Sequence, residues 1–245
     1  MLQSTSPPST RKDSTSITNS DLPNPKLLRW AHSTCSKDQL DMALLDHNIT
    51  AIEADIVMGH EENENKEVSS ISQPVMAHPP LLVSDLTFEE FITTFRSFQD
   101  SKDSRHKHLK LDFKDVETIE PVLNTLKKVV FSRSSSSNIT SDKTIFLNAD
   151  ILKGPGGRTR PLAIEANDFV EKCVAFTDLM SEDNRKRIAM SLGWRTDCRS
   201  FRGYTKNDVK EMKEIIDKYN LLERTAGKSK MFSWTANHIN EIHLL

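Results

Sequence analysis

The chain has 245 residues, enough for one large domain or two small ones with a sizeable core. Hydrophobic residues make up 36% and charged residues 28%, the balance of a polar globular protein. The formal net charge is -2, there is no long Lys/Arg run and no apolar run reaches bilayer length, which argues against nucleic-acid binding, an anionic membrane clamp and a transmembrane segment.

Residues 1–24 are rich in Ser, Thr and Pro and are expected to form a disordered tail. The first residues lack an apolar core region, so the sequence alone predicts a cytoplasmic location. Asn48-Ile-Thr50 and Asn138-Ile-Thr140 fit the glycosylation pattern, which matters only for a secreted chain. Cys35, Cys173 and Cys198 are far apart and predict three free thiols, with neither a zinc site nor a disulfide framework.

Extended and helical segments then follow one another. LLRWAHS from Leu27 is a short strand. Ser36 caps a helix striped by Leu40, Ala43 and Leu44. AIEADIVM from Ala51 is the second strand, and HEENENKEVSS from His60 is an acidic surface loop. PVMAH from Pro74 is extended. Thr87 and Glu90 form a capping box that opens the next helix. HLKLDFK from His108 is a strand, and Val116 to Val130 a helix. SRSSSSNITSDK from Ser132 is a low-complexity loop. TIFLNADIL from Thr144 and RIAMSLGWRTD from Arg187 are strands flanking a helix over Glu165 to Met180. Thr205 caps a last helix that runs to about Tyr219. Strand and helix in alternation predict a parallel sheet, and this many units predict an α/β fold of the TIM-type β/α barrel kind over residues 25–220.

The strand ends carry polar residues two apart, Glu53 and Asp55, Asp112 and Lys114, Asn148 and Asp150, and the last strand adds Trp194 and Asp197. His32 ends the first strand, and His78 follows Ala77. Spacing of two places each pair on one strand face. Each signal has a plainer reading: a salt-bridged strand end, a solvated terminus, a hydrogen-bonded core histidine. Together they bring carboxylates, imidazoles and a lysine to the C-terminal rim, where barrel enzymes carry their sites. Clustered carboxylates need a cation, and an oxygen-rich set without a Cys cluster suits Mg²⁺ or Ca²⁺. Lys153-Gly-Pro-Gly-Gly157 reads as a turn rather than an anion nest. His238 and His243 have the wrong spacing for a helical zinc pair.

WAH, EAD, MAHPP, KLDFK, NADIL-KGPGG and GWRTD occur in this order between Leu27 and Tyr219 and resemble the menorin family. That family is similar to the phospholipase C-like phosphodiesterases, including glycerophosphodiester phosphodiesterases and sphingomyelinase D. The resemblance implies His32 and His78 as catalytic histidines and Glu53, Asp55 and Asp112 as ligands for Mg²⁺ or Ca²⁺. It implies Lys114 as the phosphate contact, with Asn148, Asp150 and Trp194 lining the substrate pocket. The implied activity is cleavage of a phosphodiester small molecule or lipid headgroup, by hydrolysis or by attack of a neighbouring hydroxyl. Some family members are secreted, which implies an alternative: a non-catalytic extracellular adaptor for cell-surface proteins in neuronal development. Residues 221–245 resemble nothing in the family, and about 220 residues after the tail are fewer than the ~250 typical of a closed barrel. The expectation is a barrel left incomplete at the C-terminus, with five strands if PVMAH belongs to a side hairpin and six if it does not.

Overall fold

The computed structural model describes residues 27–101, 105–131, 143–157, 161–196 and 203–224. The tail, most of the Ser132 loop, Asp197, Cys198, Asn138, both C-terminal histidines and the last stretch of the chain lie outside the described residues.

Among the described residues, seven strands and seven α-helices follow in chain order. They are β1 (Trp30–Ala31), α1 (Lys37–Leu45), β2 (Ala51–Glu62), β3 (Val68–Met76), β4 (Val83–Ser84), α2 (Phe88–Asp100), β5 (His108–Phe113), α3 (Ile119–Val129), β6 (Ile145–Lys153), α4 (Ala166–Asp178), α5 (Glu182–Arg185), β7 (Ile188–Arg195), α6 (Lys206–Lys218) and α7 (Leu221–Arg224). The central order is β1-β2-β5-β6-β7, parallel throughout, with helices between successive strands. This is an α/β half-barrel.

The helix starts follow their capping residues. Ser36 accepts from the Gln39 amide, and Thr87 with Glu90 forms a complete capping box. Thr205 does the same with Asp208. One face of each strand packs under the helices: Ile52, Ala54 and Ile56 of β2, Leu109, Leu111 and Phe113 of β5, Leu147 and Ala149 of β6, and Leu192 of β7 belong to one buried cluster with Phe91, Leu123 and Phe169 of the helices.

The other face is concave. The Trp30 and Phe146 rings, on the first and fourth strands of the sheet, lie 6.3 Å apart. Four strands laid flat would separate those backbones by roughly 14 Å, so the sheet must curl to bring the rings together. His108 stands beside Phe146 at 6.4 Å, and the three rings form an aromatic floor at the strand starts.

Pro74 to Met76 of PVMAH end β3, which returns antiparallel along β2 as a side hairpin, so among the described residues the central path has five strands, with β3 and the short parallel β4 paired to β2 beside it. The acidic stretch from His60 is not a free loop. It extends β2 to Glu62, turns, and returns as β3. The Asn63 side chain accepts from the amides of Asn65 and Glu67, and Lys66 takes a left-handed φ of 67°. Turn chemistry of this kind lets a polar, half-exposed hairpin form from a sequence that reads as loop. Gly154 to Gly157 is a turn, closed by the Gly157 amide on the Gly154 carbonyl. Cys35 and Cys173 are free thiols.

Candidate metal and phosphate site

The concave face is layered by strand register. Asp55, Asp112, Asn148 and Ser191 stand side by side across β2, β5, β6 and β7. One layer below, Glu53 of β2 faces Lys110 of β5. Alternation along each strand thus stacks a polar row over an ion pair, with Phe146 in register with Lys110 and the Trp30 and His108 rings one step lower.

The polar row is bonded from end to end. Ser191 Oγ donates to Asn148 Oδ1 at 2.6 Å, and Asn148 Nδ2 donates to Asp112 Oδ1 at 2.8 Å. Lys114 Nζ bridges Asp112 Oδ2 at 2.7 Å and Asp55 Oδ1 at 2.8 Å. Lys110 Nζ lies 3.9 Å from Glu53 Oε1. Glu53, Asp55 and Asp112 each offer an oxygen within 4.8 Å of the others.

The turn after β1 covers the carboxylates. Ser33 donates its amide to Glu53 Oε2 at 2.7 Å and its hydroxyl to Asp55 Oδ2 at 3.0 Å. It does so from a left-handed φ of 55°, a conformation that a non-glycine residue adopts at some energetic cost. His32 Nε2 lies 3.6 Å from Glu53 Oε2, with its side chain 67% exposed. His78 is exposed and its Nδ1 is 2.7 Å from the Pro79 carbonyl. The Thr34 amide bonds the Glu53 carbonyl, and the Ala77 amide bonds the Asp55 carbonyl. The end of β1 and the end of β3 therefore converge on β2, where His32 meets Glu53 while the His78 ring turns to its own neighbour Pro79.

The electrostatics leave the cluster short of positive charge. Glu53, Asp55, Asp112 and Asp150 share the concave end with three cations, Lys110, Lys114 and, near Asp150, Arg195. Burial, opposed by Lys110 and reinforced by Asp55, holds the Glu53 carboxyl above its usual range. Burial works against the charge on Lys114, but Asp112 and Asp55 outweigh it and hold the ammonium well above its ordinary value. Asp150 is open to solvent on one side, yet the protein packed around it and the Asp112 charge push it up to about 6. Its carboxylate lies over Gly193, where an added Cβ would stand 2.3 Å from Asp150 Oδ1. The donors are carboxylate oxygens only. Cys35 Sγ is 4.0 Å from Asp55 Oδ2, but burial chiefly holds it as a thiol, a poor metal ligand. Excess negative charge and all-oxygen donors fit Mg²⁺ or Ca²⁺.

The structure therefore brings together Glu53, Asp55, Asp112, Lys114 and Asn148, flanks them with His32, and sets Asp150 at the open rim. Asn148 touches Asp112 and Ser191 rather than open space, so it orients a carboxylate. Trp194 does not join them. It alternates with Leu192, is 3% exposed, belongs to the helix-facing core and packs on Tyr204 at 5.1 Å. With Ser191 and Gly193 turned to the concave face, period-two alternation carries Trp194 away from it. Ser33, Lys110 and Ser191 are contacts that the sequence reading left out. Lys110 was legible in KLDFK, while nothing in the sequence marks Ser33 or Ser191.

The model of the Menorin N-terminal domain matches residues 24–226. The chain belongs to the menorin family. The human protein FAM151B is 30% identical over 193 residues, 78% of this chain. The chain spans 58% of that relative's length. Among solved structures, the crystal structure of PLC21 from S. officinalis overlaps 84% of this chain and 20% of its own at 15% identity. Its TM-score is 0.29, too low to establish a shared architecture. Among the described residues no helix is long and apolar enough to cross a membrane.

Proposed function

We propose that this menorin-family chain is a divalent-metal-dependent phosphodiesterase, built on part of a phospholipase C-like β/α barrel. The observation that carries the reading is the triad of Glu53, Asp55 and Asp112 on the concave face of the parallel sheet, short of positive charge and flanked by histidine. Bound there, Mg²⁺ or Ca²⁺ supplies electrostatic stabilisation to a phosphoryl oxygen.

The protein's own groups do the rest. Glu53 orients His32 through the contact at Nε2, and the exposed imidazole takes or gives a proton at the reacting oxygen. His78, arriving from the opposite direction, is the second proton-transfer group or the nucleophile. Lys114, whose charge is fixed by Asp55 and Asp112, faces developing negative charge on the phosphoryl group. Asn148 and Ser191 fix the rotamer of Asp112. The substrate class is a phosphodiester, either a glycerophosphodiester-like small molecule or a lipid headgroup.

The test is hydrolysis of bis(p-nitrophenyl) phosphate with Mg²⁺ or Ca²⁺. Wild type is expected to turn over, and His32→Ala to lose roughly 10²–10⁴-fold. Equal turnover by His32→Ala overturns the assignment. One observation favours a second reading, an adaptor for cell-surface proteins. Val68, Ile71, Leu81 and Leu82 are exposed on β3 and the segment that follows it. Exposed apolar side chains gathered on one feature mark a contact surface. Binding to neuronal cell surfaces that survives His32→Ala would support that reading, and an extracellular location with it.

A further inference from the structure

Ser33 stands between the first histidine and two of the three clustered carboxylates. Its amide donates to Glu53 Oε2 at 2.7 Å and its hydroxyl donates to Asp55 Oδ2 at 3.0 Å. Glu53 Oε2 is also the atom that His32 Nε2 approaches at 3.6 Å. The Thr34 amide bonds the Glu53 carbonyl. Three successive residues of the turn after β1 therefore meet Glu53, and the middle one also reaches Asp55.

These contacts leave the other oxygen of each carboxylate to a lysine. Glu53 Oε1 faces Lys110 Nζ at 3.9 Å, and Asp55 Oδ1 faces Lys114 Nζ at 2.8 Å. Asp112 is held in the same way, with Asn148 on Oδ1 and Lys114 on Oδ2. Each carboxylate has one oxygen on an uncharged donor and the other facing an ammonium. An uncharged donor fixes the carboxylate rotamer and favours its ionised form without adding a countercharge. Ser33 supplies that donor to Glu53 and to Asp55, as Asn148 does to Asp112. Glu53 and Asp55 are 3% and 1% exposed, so bulk water is a poor substitute for a donor that is lost.

The backbone shows that this arrangement has a cost. Ser33 holds a φ of 55°, in the left-handed region where a Cβ is a liability and glycine is at ease. A turn that only reversed the chain would be more stable with glycine. What glycine lacks is the hydroxyl on Asp55.

We propose that Ser33 is the positioning residue of the Glu53–Asp55 pair, holding both carboxylates for a divalent cation and, through Glu53, holding His32 beside them. The inference rests on the reading of Glu53, Asp55 and Asp112 as a divalent-metal site.

The test is calorimetric titration of the full chain with Mg²⁺ and with Ca²⁺, beside Ser33→Ala and Ser33→Gly, together with urea unfolding of all three proteins in EDTA. Both variants lose the hydroxyl, and only the glycine variant also loses the left-handed penalty. Metal affinity is expected to fall roughly 10–100-fold in both. In EDTA the unfolding equilibrium constant of Ser33→Gly is expected to be at least about fivefold smaller than that of Ser33→Ala. A merely structural serine would lower affinity only in step with stability, so weak metal binding by the better-folded glycine variant separates the two roles. If Ser33→Ala fails to fold, Ser33→Gly decides. Undiminished affinity in either folded variant would overturn the role of Ser33 and leave the metal site standing. A wild type that takes up neither ion would overturn the metal site, and this inference with it.

Discussion

The two ends of one sheet handle charge differently. At the C-terminal end, carboxylates and lysines from adjacent strands bond one another side chain to side chain, in the run Ser191–Asn148–Asp112–Lys114–Asp55–Ser33. At the N-terminal end, Arg96 and Lys107 donate to backbone carbonyls. Side-chain pairing makes each acidic-end residue depend on the next. Carbonyl solvation of Arg96 and Lys107 leaves fewer side-chain links at the basic end, where Arg96 pairs with Asp100. The first end should be energetically coupled, and the second should tolerate single changes.

Variants break or sharpen this contrast. Lys114→Met should have the largest effect, because it leaves Asp55 and Asp112 buried and facing each other without a cation. Chemical denaturation in EDTA should show a loss of about 3–5 kcal/mol, partly restored by Mg²⁺. Stability unchanged from wild type would mean that the acidic end is not coupled. Asn148→Ala comes next. It removes the donor to Asp112 Oδ1 and the acceptor for Ser191, so a loss of about 1–3 kcal/mol is expected from thermal unfolding. Metal affinity should also fall roughly 10–100-fold. Asp150→Asn should have a smaller effect, with a sign set by pH. The folded-state pKa of about 6 is raised above the ordinary 3.8, so the stability linked to protonation is complete below the lower value and lost as pH rises through the upper one. The variant escapes that loss. In EDTA it should melt above wild type at pH above about 7, and the difference should vanish below about pH 4. Arg187→Gln should change stability least, by less than about 0.5 kcal/mol, because its Nε has no hydrogen-bond partner among the described residues.

The same contrast explains what could be read from the sequence. The acidic end is written at spacing two within single strands, in EAD, KLDFK and NAD, and alternation alone places those residues on one face. Helix starts were legible because Ser36, Thr87 and Thr205 cap locally. Trp194 faces the helices because alternation from Ser191 turns it there, which the motif GWRTD does not show. The hairpin at His60 was hidden because its stability comes from the Asn63 turn and pairing to β2, not from buried apolar surface. Ser33 acts through an unusual backbone angle that no residue type announces. The basic end was invisible in sequence because Arg96, Lys107, Lys143 and Arg187 come from separate segments with no common spacing.

The central claim is that Glu53, Asp55 and Asp112 form one oxygen-donor site for a divalent cation. Calorimetric titration of the folded chain with Mg²⁺ and with Ca²⁺, beside Asp55→Ala and Asp112→Ala, tests it most directly. One saturable site in wild type, lost in both variants while each keeps its circular dichroism spectrum, is the expected result. A folded wild type that takes up neither ion, or variants that bind as well as wild type, would contradict the claim.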